Sequence, residues 1–345
     1  MKKFIENIAA ILAIFLLAAC SRDNRNEKPF GVNIACAEFG TVFPGKYGVD
    51  YTYPSKQDLL YWRDKGLRLV RLPFKWERLQ PELGGELNRS DLNLMKDFIA
   101  EARDLDMQVL LDLHNYCRRY FNGEHHIIGC GGVQIRHYAE FWKLMAAEMK
   151  EFDNIYGYGL MNEPHDLQAD TPWFDMAQTA IDSIRTVDNK TAIFVGGDNW
   201  SSACKWIQAS DTLKHLVDPA DNIVFEAHCY FDKDNSGTYK YSYSEEDGTP
   251  QKGVQLVTPF IEWLKANNLR GFIGEYGIPQ DDPDWEITLD NFLAYIARNG
   301  VNGTYWASGP WWPEETVMTI PAYAGGKERS QVRILEKYKN AQEKR

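Results

Sequence analysis

From Pro29 onward, short apolar or β-branched runs alternate with longer amphipathic stretches. The runs are GVNIA (31–35), LRLVRLP (67–73), QVLLDLH (108–114), YGYGLMN (156–162), TAIFVGG (191–197), NIVFEAH (222–228), GFIGEYG (271–277) and VNGTYWA (301–307). They are largely apolar throughout, the pattern of parallel strands covered on both faces rather than of half-wet strands. Between them the spacing predicts helices over 91–105, 138–152, 173–186, 254–266, 285–298 and 330–343. Ser90 and Asp91 mark the start of the first, and Pro172 sits at the opening turn before Trp173. No linker, low-complexity tract or composition break interrupts residues 30–345, so one domain is expected. Eight strand–helix units of this length match an α/β fold, the (β/α)8 TIM barrel. A doubly wound open sheet gives the same alternation, but it usually has fewer strands, and no GxGxxG follows the first run.

The N-terminus breaks this rhythm. Lys2 and Lys3 precede an apolar stretch from Ile8 to Ala19 that ends LLAAC at Cys20, which reads as a signal peptide over 1–20. The stretch is too short for a good membrane span. Cys20 directly after LAA resembles a bacterial lipobox, in which the Cys is lipidated and becomes the new N-terminus. A plain secretory signal with an incidental Cys is the alternative. Residues 21–29 are then a polar tether, and the membrane is met only through the lipid. The remaining cysteines, Cys36, Cys117, Cys130, Cys204 and Cys229, are odd in number and form no CxxC, so no disulfide is assigned.

Composition excludes some partners. At 44 % hydrophobic and 25 % charged the chain can bury an ordinary core, while its net charge of −11 repels a phosphate backbone. With no basic patch and no P-loop, nucleic acid is not an expected partner; a monomer is. No cofactor or metal is expected either, since there are no zinc-spaced cysteines and no two His at ligand spacing. His125 and His126 near Cys130 are read as a surface loop.

In a barrel the active site lies at the C-terminal ends of the strands. There the runs carry Arg71; Asp112, His114 and Asn115; Asn162 and Glu163; His228 and Tyr230; Glu275; and Trp306. A barrel shaped by stability alone has no need of such a collection. Glu163 and Glu275 end strands three apart in a ring of eight, so they face each other across the mouth. Paired carboxylates flanking a sugar are what glycosidic cleavage requires: one donates a proton, the other attacks or activates water. Either Glu alone could be an ion-pair partner or a helix cap.

The ordered motifs VRLPF, LDLHN, GLMNEP, EAHCY, IGEYG and YWASG resemble glycoside hydrolase family 5 from about Phe30 to Tyr338. GVNIACAEFG, FKWERLQP, AHCYFDKDNSGT and GPWW are similar to its endo-β-1,4-glucanase branch. The resemblance implies Glu163 as general acid/base, with Pro164 stopping the strand and leaving the carboxyl free at the mouth. It implies Glu275 as the nucleophile of a retaining mechanism, hydrogen-bonded by Arg71 and Tyr230. Asn162 is expected to bind the 2-OH of the attacked sugar, His114 and His228 to line that subsite, and Trp306 to lie beneath it. Asn199, Trp200 and Trp311 are candidates for neighbouring subsites. Cys36 and Cys117 depart from the small residues usual in this branch, and 239–253 has no clear reading.

The implied protein is an exported, lipid-anchored endo-β-1,4-glucanase acting on cellulose or mixed-linkage glucan. The same machinery could act on mannan, xylan or xyloglucan. A non-catalytic glycan-binding lipoprotein is the alternative from another class, although it would be expected to have lost one of the two Glu residues or their supports.

Overall fold

A computed structural model describes residues 29–313, 316–320 and 328–339. The expected signal segment with Cys20, the tether up to Lys28 and the end of the last expected helix (340–343) lie outside the described residues.

Ten strands are described: β1 (Gly31–Ile34), β2 (Leu69–Phe74), β3 (Gln108–Leu113), β4 (Arg118–Phe121), β5 (Glu124–Ile127), β6 (Ile155–Gly159), β7 (Ile193–Gly196), β8 (Ile223–His228), β9 (Gly271–Tyr276) and β10 (Asn302–Ser308). Eight close into a parallel barrel in the order β1-β10-β9-β8-β7-β6-β3-β2, with β1 pairing back to β2. Each of the eight apolar runs contributes one barrel strand, so the (β/α)8 expectation holds.

The helices form where capping and amphipathicity agree. Lys56–Asp64 is opened by Ser55, whose backbone N–H donates to Asp58 Oδ2 at 2.7 Å in a reciprocal capping box. Arg89–Asp104 is capped by Asn88, whose side chain accepts from the Ser90 amide. The start therefore lies before Ser90 and Asp91, and the Asp91 carboxylate accepts instead from the hydroxyls of Tyr51 (2.6 Å) and Tyr53 (3.1 Å). Ile135–Met149, Trp173–Arg185, Lys252–Asn267 and Pro283–Arg298 follow the expected segments, and their apolar faces pack the main core against the barrel wall.

Inside the barrel, period-two alternation stacks layers. Leu69, Leu110, Phe194, Val224 and Phe272 plug the lower end. Two residues further along their strands come Arg71, Asp112, Glu226 and Gly274, and two further again come His114 and His228. Gly274 is needed for close approach, because a Cβ there would sit 2.0 Å from Glu226 Oε1. The interior thus changes from an apolar plug to a polar floor over one step of the pleat.

The hairpin β4–β5 corrects the reading of 125–130 as a plain surface loop. Tyr120 pairs with His125 and Arg119 with His126 around an Asn122–Gly123 turn, both turn residues having positive φ (51° and 93°). Among the described residues no helix is long and apolar enough to cross a membrane.

Candidate active site

Arg71 organises the floor. Its guanidinium is fully buried and donates from one nitrogen to Asn33 Oδ1 (2.9 Å) and Glu275 Oε1 (3.0 Å). The other donates to Asn162 Oδ1 (2.8 Å) and forms ion pairs with Asp112 Oδ1 (3.0 Å) and Glu226 Oε1 (2.9 Å). Burial opposes this charge, but the surrounding Asp112, Glu226, Glu275 and Glu163 carboxylates raise its pKa and hold it cationic. Asn33, at the end region of β1, also donates to Gly274 O at 2.9 Å, tying β1 to β9 two strands round the ring.

Two histidines stand on this floor in opposite protonation states. His114 Nδ1 lies 2.7 Å from Asp112 Oδ2, while its Nε2 receives the Tyr116 hydroxyl (3.0 Å) and the Asn162 amide (3.3 Å). One donor and one acceptor make a neutral imidazole, consistent with burial lowering its pKa to about 3. His228 faces carboxylates from both nitrogens: Nδ1 is 2.7 Å from Glu163 Oε1 and 3.5 Å from Glu275 Oε2, and Nε2 is 3.4 Å from Glu226 Oε1. Two donors make an imidazolium. Burial pulls its pKa down, but Glu275, Glu163 and Glu226 outweigh that and lift it from 6.5 to about 10.

The raised value has a measurable sign. A folded pKa above the unfolded one contributes stability that is fully present below about pH 6.5 and is lost as pH rises through about 10. Melting temperature should therefore fall across that window. In a His228→Gln protein the fall should be shallower; an equally steep decline would show that other groups cause it.

Glu275 is 4 % exposed, accepting from Arg71 at Oε1 and from the Tyr230 hydroxyl at Oε2 (2.6 Å). Burial raises its pKa; the His228 charge pulls it down, Glu163 pushes it up, and Arg71 pulls it down again. Arg71 thus favours the charged carboxylate, but the net direction is upward because burial is larger. Glu163 sits beyond the end of β6, half-buried, with a left-handed φ of 45° that is uncommon for a non-glycine residue. The ladder of β6 stops at Gly159, three residues before the expected end, although the Asn162 amide still donates to Leu113 O at 2.8 Å. That left-handed residue, together with Pro164, swings the chain off the barrel and leaves the carboxylate at the mouth.

Oxygens of Glu163 and Glu275 and a nitrogen of His228 lie within 4.8 Å of one another. By distance these three could ligate a cation. Their donors are already committed, however: both Glu275 oxygens accept hydrogen bonds and His228 Nδ1 faces Glu163, so a metal would have to displace that network.

Around the pair stand the rings. Trp306 is half-buried and stacks beside His114, with centroids 5.5 Å apart at 11°. Trp200 is 44 % exposed and stacks on His165 at 4.4 Å, held by three consecutive left-handed residues, Asn199, Trp200 and Ser201. Asn199 is half-buried in the same turn. Trp311 is 38 % exposed, with no ring contact among the described residues. Its neighbour Trp312 instead meets Trp306 edge-on at 6.3 Å. The structure therefore gathers Arg71, His114, Asn162, Glu163, His228, Tyr230, Glu275 and Trp306 into one site, sets Asn199 and Trp200 on its rim, and leaves Trp311 exposed on the loop next to Trp312. Asn33, Tyr116, His165, Glu226 and Trp312 belong to the site without having been singled out. The alternation D-x-H at 112–114 and E-x-H at 226–228 was the available signal for the acids beneath the histidines.

Comparison with known proteins agrees with this geometry. A family model described as "Cellulase (glycosyl hydrolase family 5)" matches residues 24–311. A probable endo-beta-1,4-glucanase B of Aspergillus kawachii is 35 % identical over 318 residues, covering 90 % of each chain. Among solved structures, the endoglucanase Cel5A of Pseudomonas stutzeri is 40 % identical with a TM-score of 0.83, covering 90 % of this chain and 93 % of that one. The endo-beta-1,4-glucanase Xac0029 of Xanthomonas axonopodis pv. citri is 32 % identical with a TM-score of 0.83, covering 91 % and 98 %.

Proposed function

The chain belongs to glycosyl hydrolase family 5, the cellulase family, and from that premise we propose that it is a retaining endo-β-1,4-glucanase acting through Glu163 and Glu275. The observation that carries the reading is the spacing of the two carboxylates. An oxygen of each carboxylate lies within 4.8 Å of one of the other, in keeping with the roughly 5–5.5 Å separation of retaining glycosidases rather than the roughly 6.5–9.5 Å that holds an inverting enzyme's water.

In the first step a Glu275 oxygen attacks the anomeric carbon while Glu163 protonates the departing glycosidic oxygen, leaving a glycosyl ester on Glu275. In the second, Glu163 takes a proton from water, the water oxygen attacks the same carbon from the leaving-group side, and Glu275 is released. Negative charge thus moves from Glu275 to Glu163 and back. The His228 imidazolium, 3.5 Å from one and 2.7 Å from the other, lies between the two positions of that charge. It therefore stabilises both without moving, the preorganisation that makes electrostatic catalysis effective. Arg71 and Tyr230 aim the nucleophile, Asn162 has an amide N–H left for the sugar 2-OH, and the Trp306 face underlies the sugar. Similar solved structures, the Pseudomonas stutzeri endoglucanase Cel5A in complex with cellobiose and XacCel5A in complex with cellopentaose, support a β-1,4-linked glucan as substrate. Export with lipidation at Cys20 completes the reading; a Cys20→Ser protein should leave the detergent-extracted fraction for the soluble one.

The test follows product release and the anomer formed first, by proton NMR, on carboxymethylcellulose, mixed-linkage glucan, xyloglucan, mannan and xylan. Cleavage of the β-1,4-glucans with the β-anomer appearing first is expected. The α-anomer first would overturn retention, and cleavage confined to mannan or xylan would keep the chemistry and move the substrate. A folded protein silent on every polymer would favour a glycan-binding lipoprotein.

A further inference from the structure

Glu226 takes no part in the bond-cleavage scheme, yet it touches both of its arms. It lies on β8, two residues before His228, and is 4 % exposed. Its Oε1 is 2.9 Å from Arg71 Nη2 and 3.4 Å from His228 Nε2. Arg71 in turn holds Glu275 at 3.0 Å, and the other His228 nitrogen faces Glu163 at 2.7 Å. A single buried oxygen therefore joins the cation that aims the nucleophile to the cation that faces the acid. Burial opposes the Glu226 charge, but Arg71 and His228 outweigh it and hold the carboxyl below its ordinary pKa.

The barrel leaves room for that oxygen. Glu226 sits in register with Gly196 on β7 and Phe272 on β9. Two residues beyond Phe272 comes Gly274, where a Cβ would lie 2.0 Å from Oε1, so a side chain there would push the carboxylate off its two partners. Asp112 gives the contrast. It also meets Arg71, and its second oxygen goes to His114 Nδ1, but His114 Nε2 meets the Tyr116 hydroxyl and the Asn162 amide. His114 therefore needs one N–H and is neutral, whereas His228 faces carboxylates from both nitrogens and needs two.

We propose that Glu226 is a positioning residue of the reaction: it holds the Nε2–H of His228, so that the ring keeps its other N–H on Glu163 and its charge between the two catalytic carboxylates. The proposal deepens the glucanase reading and rests on it. His228 is faced by Glu163 from the end of β6, by Glu275 from β9 and by Glu226 from its own strand. Asp112 on β3 acts on it across the floor, as does Arg71 on β2 through Glu226. On the β7 side the Ser201 carbonyl accepts the His228 backbone N–H at 2.8 Å and brings no charge. Glu163 and Glu275 exchange their charge during turnover, one being protonated while the other attacks. Glu226 is the facing carboxylate whose charge stays constant, and that constancy keeps the histidine an imidazolium through both steps.

The experiment follows the His228 ring by 15N NMR of histidine-labelled protein through a pH titration, the signal being assigned by its loss in His228→Gln. In wild type the ring is expected to stay doubly protonated until about pH 10. Glu226→Gln keeps the shape and can still accept from Nε2, but the lost negative charge no longer favours the cation. Its His228 midpoint is expected to fall by about one pH unit or more. On β-glucan, kcat should fall about tenfold with KM within about threefold, and the alkaline decline of kcat should move to lower pH. Gly274→Ala, which keeps the carboxylate but displaces it, should shift the midpoint the same way. A loss of kcat with the midpoint and the alkaline decline unmoved would mean packing alone and overturns the proposal; so does a lowered midpoint with kcat unchanged. If Glu226→Gln unfolds, Gly274→Ala decides. Wild-type silence on every glucan sinks the glucanase reading and this one together, whereas an active wild type whose variants keep the wild-type His228 midpoint sinks this one alone.

Discussion

Replacing Glu275 by Gln will cut kcat on β-glucan by about 10⁴-fold or more while leaving oligosaccharide affinity within a fewfold of wild type. The amide has the size of the carboxyl, so Trp306, His114 and the rest of the cleft keep their positions. Its carbonyl oxygen can still accept from Arg71, which donates at 3.0 Å, and Tyr230 can turn its hydroxyl to accept from the new NH2. What is lost is the charge and the ability to form an ester at the anomeric carbon. Arg71 keeps Asp112 at 3.0 Å and Glu226 at 2.9 Å, so its buried cation is not stranded and the melting temperature should move little. The check combines turnover by reducing-sugar release, cellopentaose binding by calorimetry and a thermal melt. Activity within tenfold of wild type would remove Glu275 as nucleophile. Loss of binding together with turnover would assign it to substrate holding instead.

The depth to which this site could be read from the chain alone follows from which physical rules are local. Strands buried on both faces leave apolar runs, and the eight runs locate the barrel strands within two residues except β6, whose ladder stops at Gly159 before the chain turns away at the left-handed Glu163. Such a conformation leaves no local signature when the residue is not glycine. Lys56–Asp64 was missed because its run is mostly polar, although Ser55 and Asp58 form a capping box three residues apart. The hairpin β4–β5 was marked by Asn122–Gly123, a turn signal overshadowed by two histidines and a cysteine. A loop has no period, so only the fold shows that Trp312, of two adjacent indoles, is the one that meets the Trp306 ring. The two protonation states of His114 and His228 depend on Asp112, Glu163, Glu226 and Glu275, which come from four strand ends, and no window of sequence contains them together.

Glu163→Ala is expected to divide substrates by their leaving groups. On glucan the departing alkoxide needs a proton, so the first step should slow by about 10²–10⁴-fold. On a dinitrophenyl cellobioside the leaving group needs none, so that step survives and the glycosyl ester on Glu275 accumulates, giving a burst followed by slow turnover. The deleted side chain opens the space facing His228 Nδ1, which stood 2.7 Å from the carboxylate, and a small anion fits both the space and the charge. Added azide should therefore attack the ester from the leaving-group side and yield the β-glycosyl azide. In Glu275→Ala the same anion enters from the opposite face, where Arg71 and Tyr230 remain, and attacks the intact aryl glycoside to yield the α-glycosyl azide. Opposite anomers from the two variants would fix which carboxylate stands on which face of the sugar. The same anomer from both would mean that the roles given to Glu163 and Glu275 do not describe this barrel, and an α-azide from Glu163→Ala with a β-azide from Glu275→Ala would exchange them.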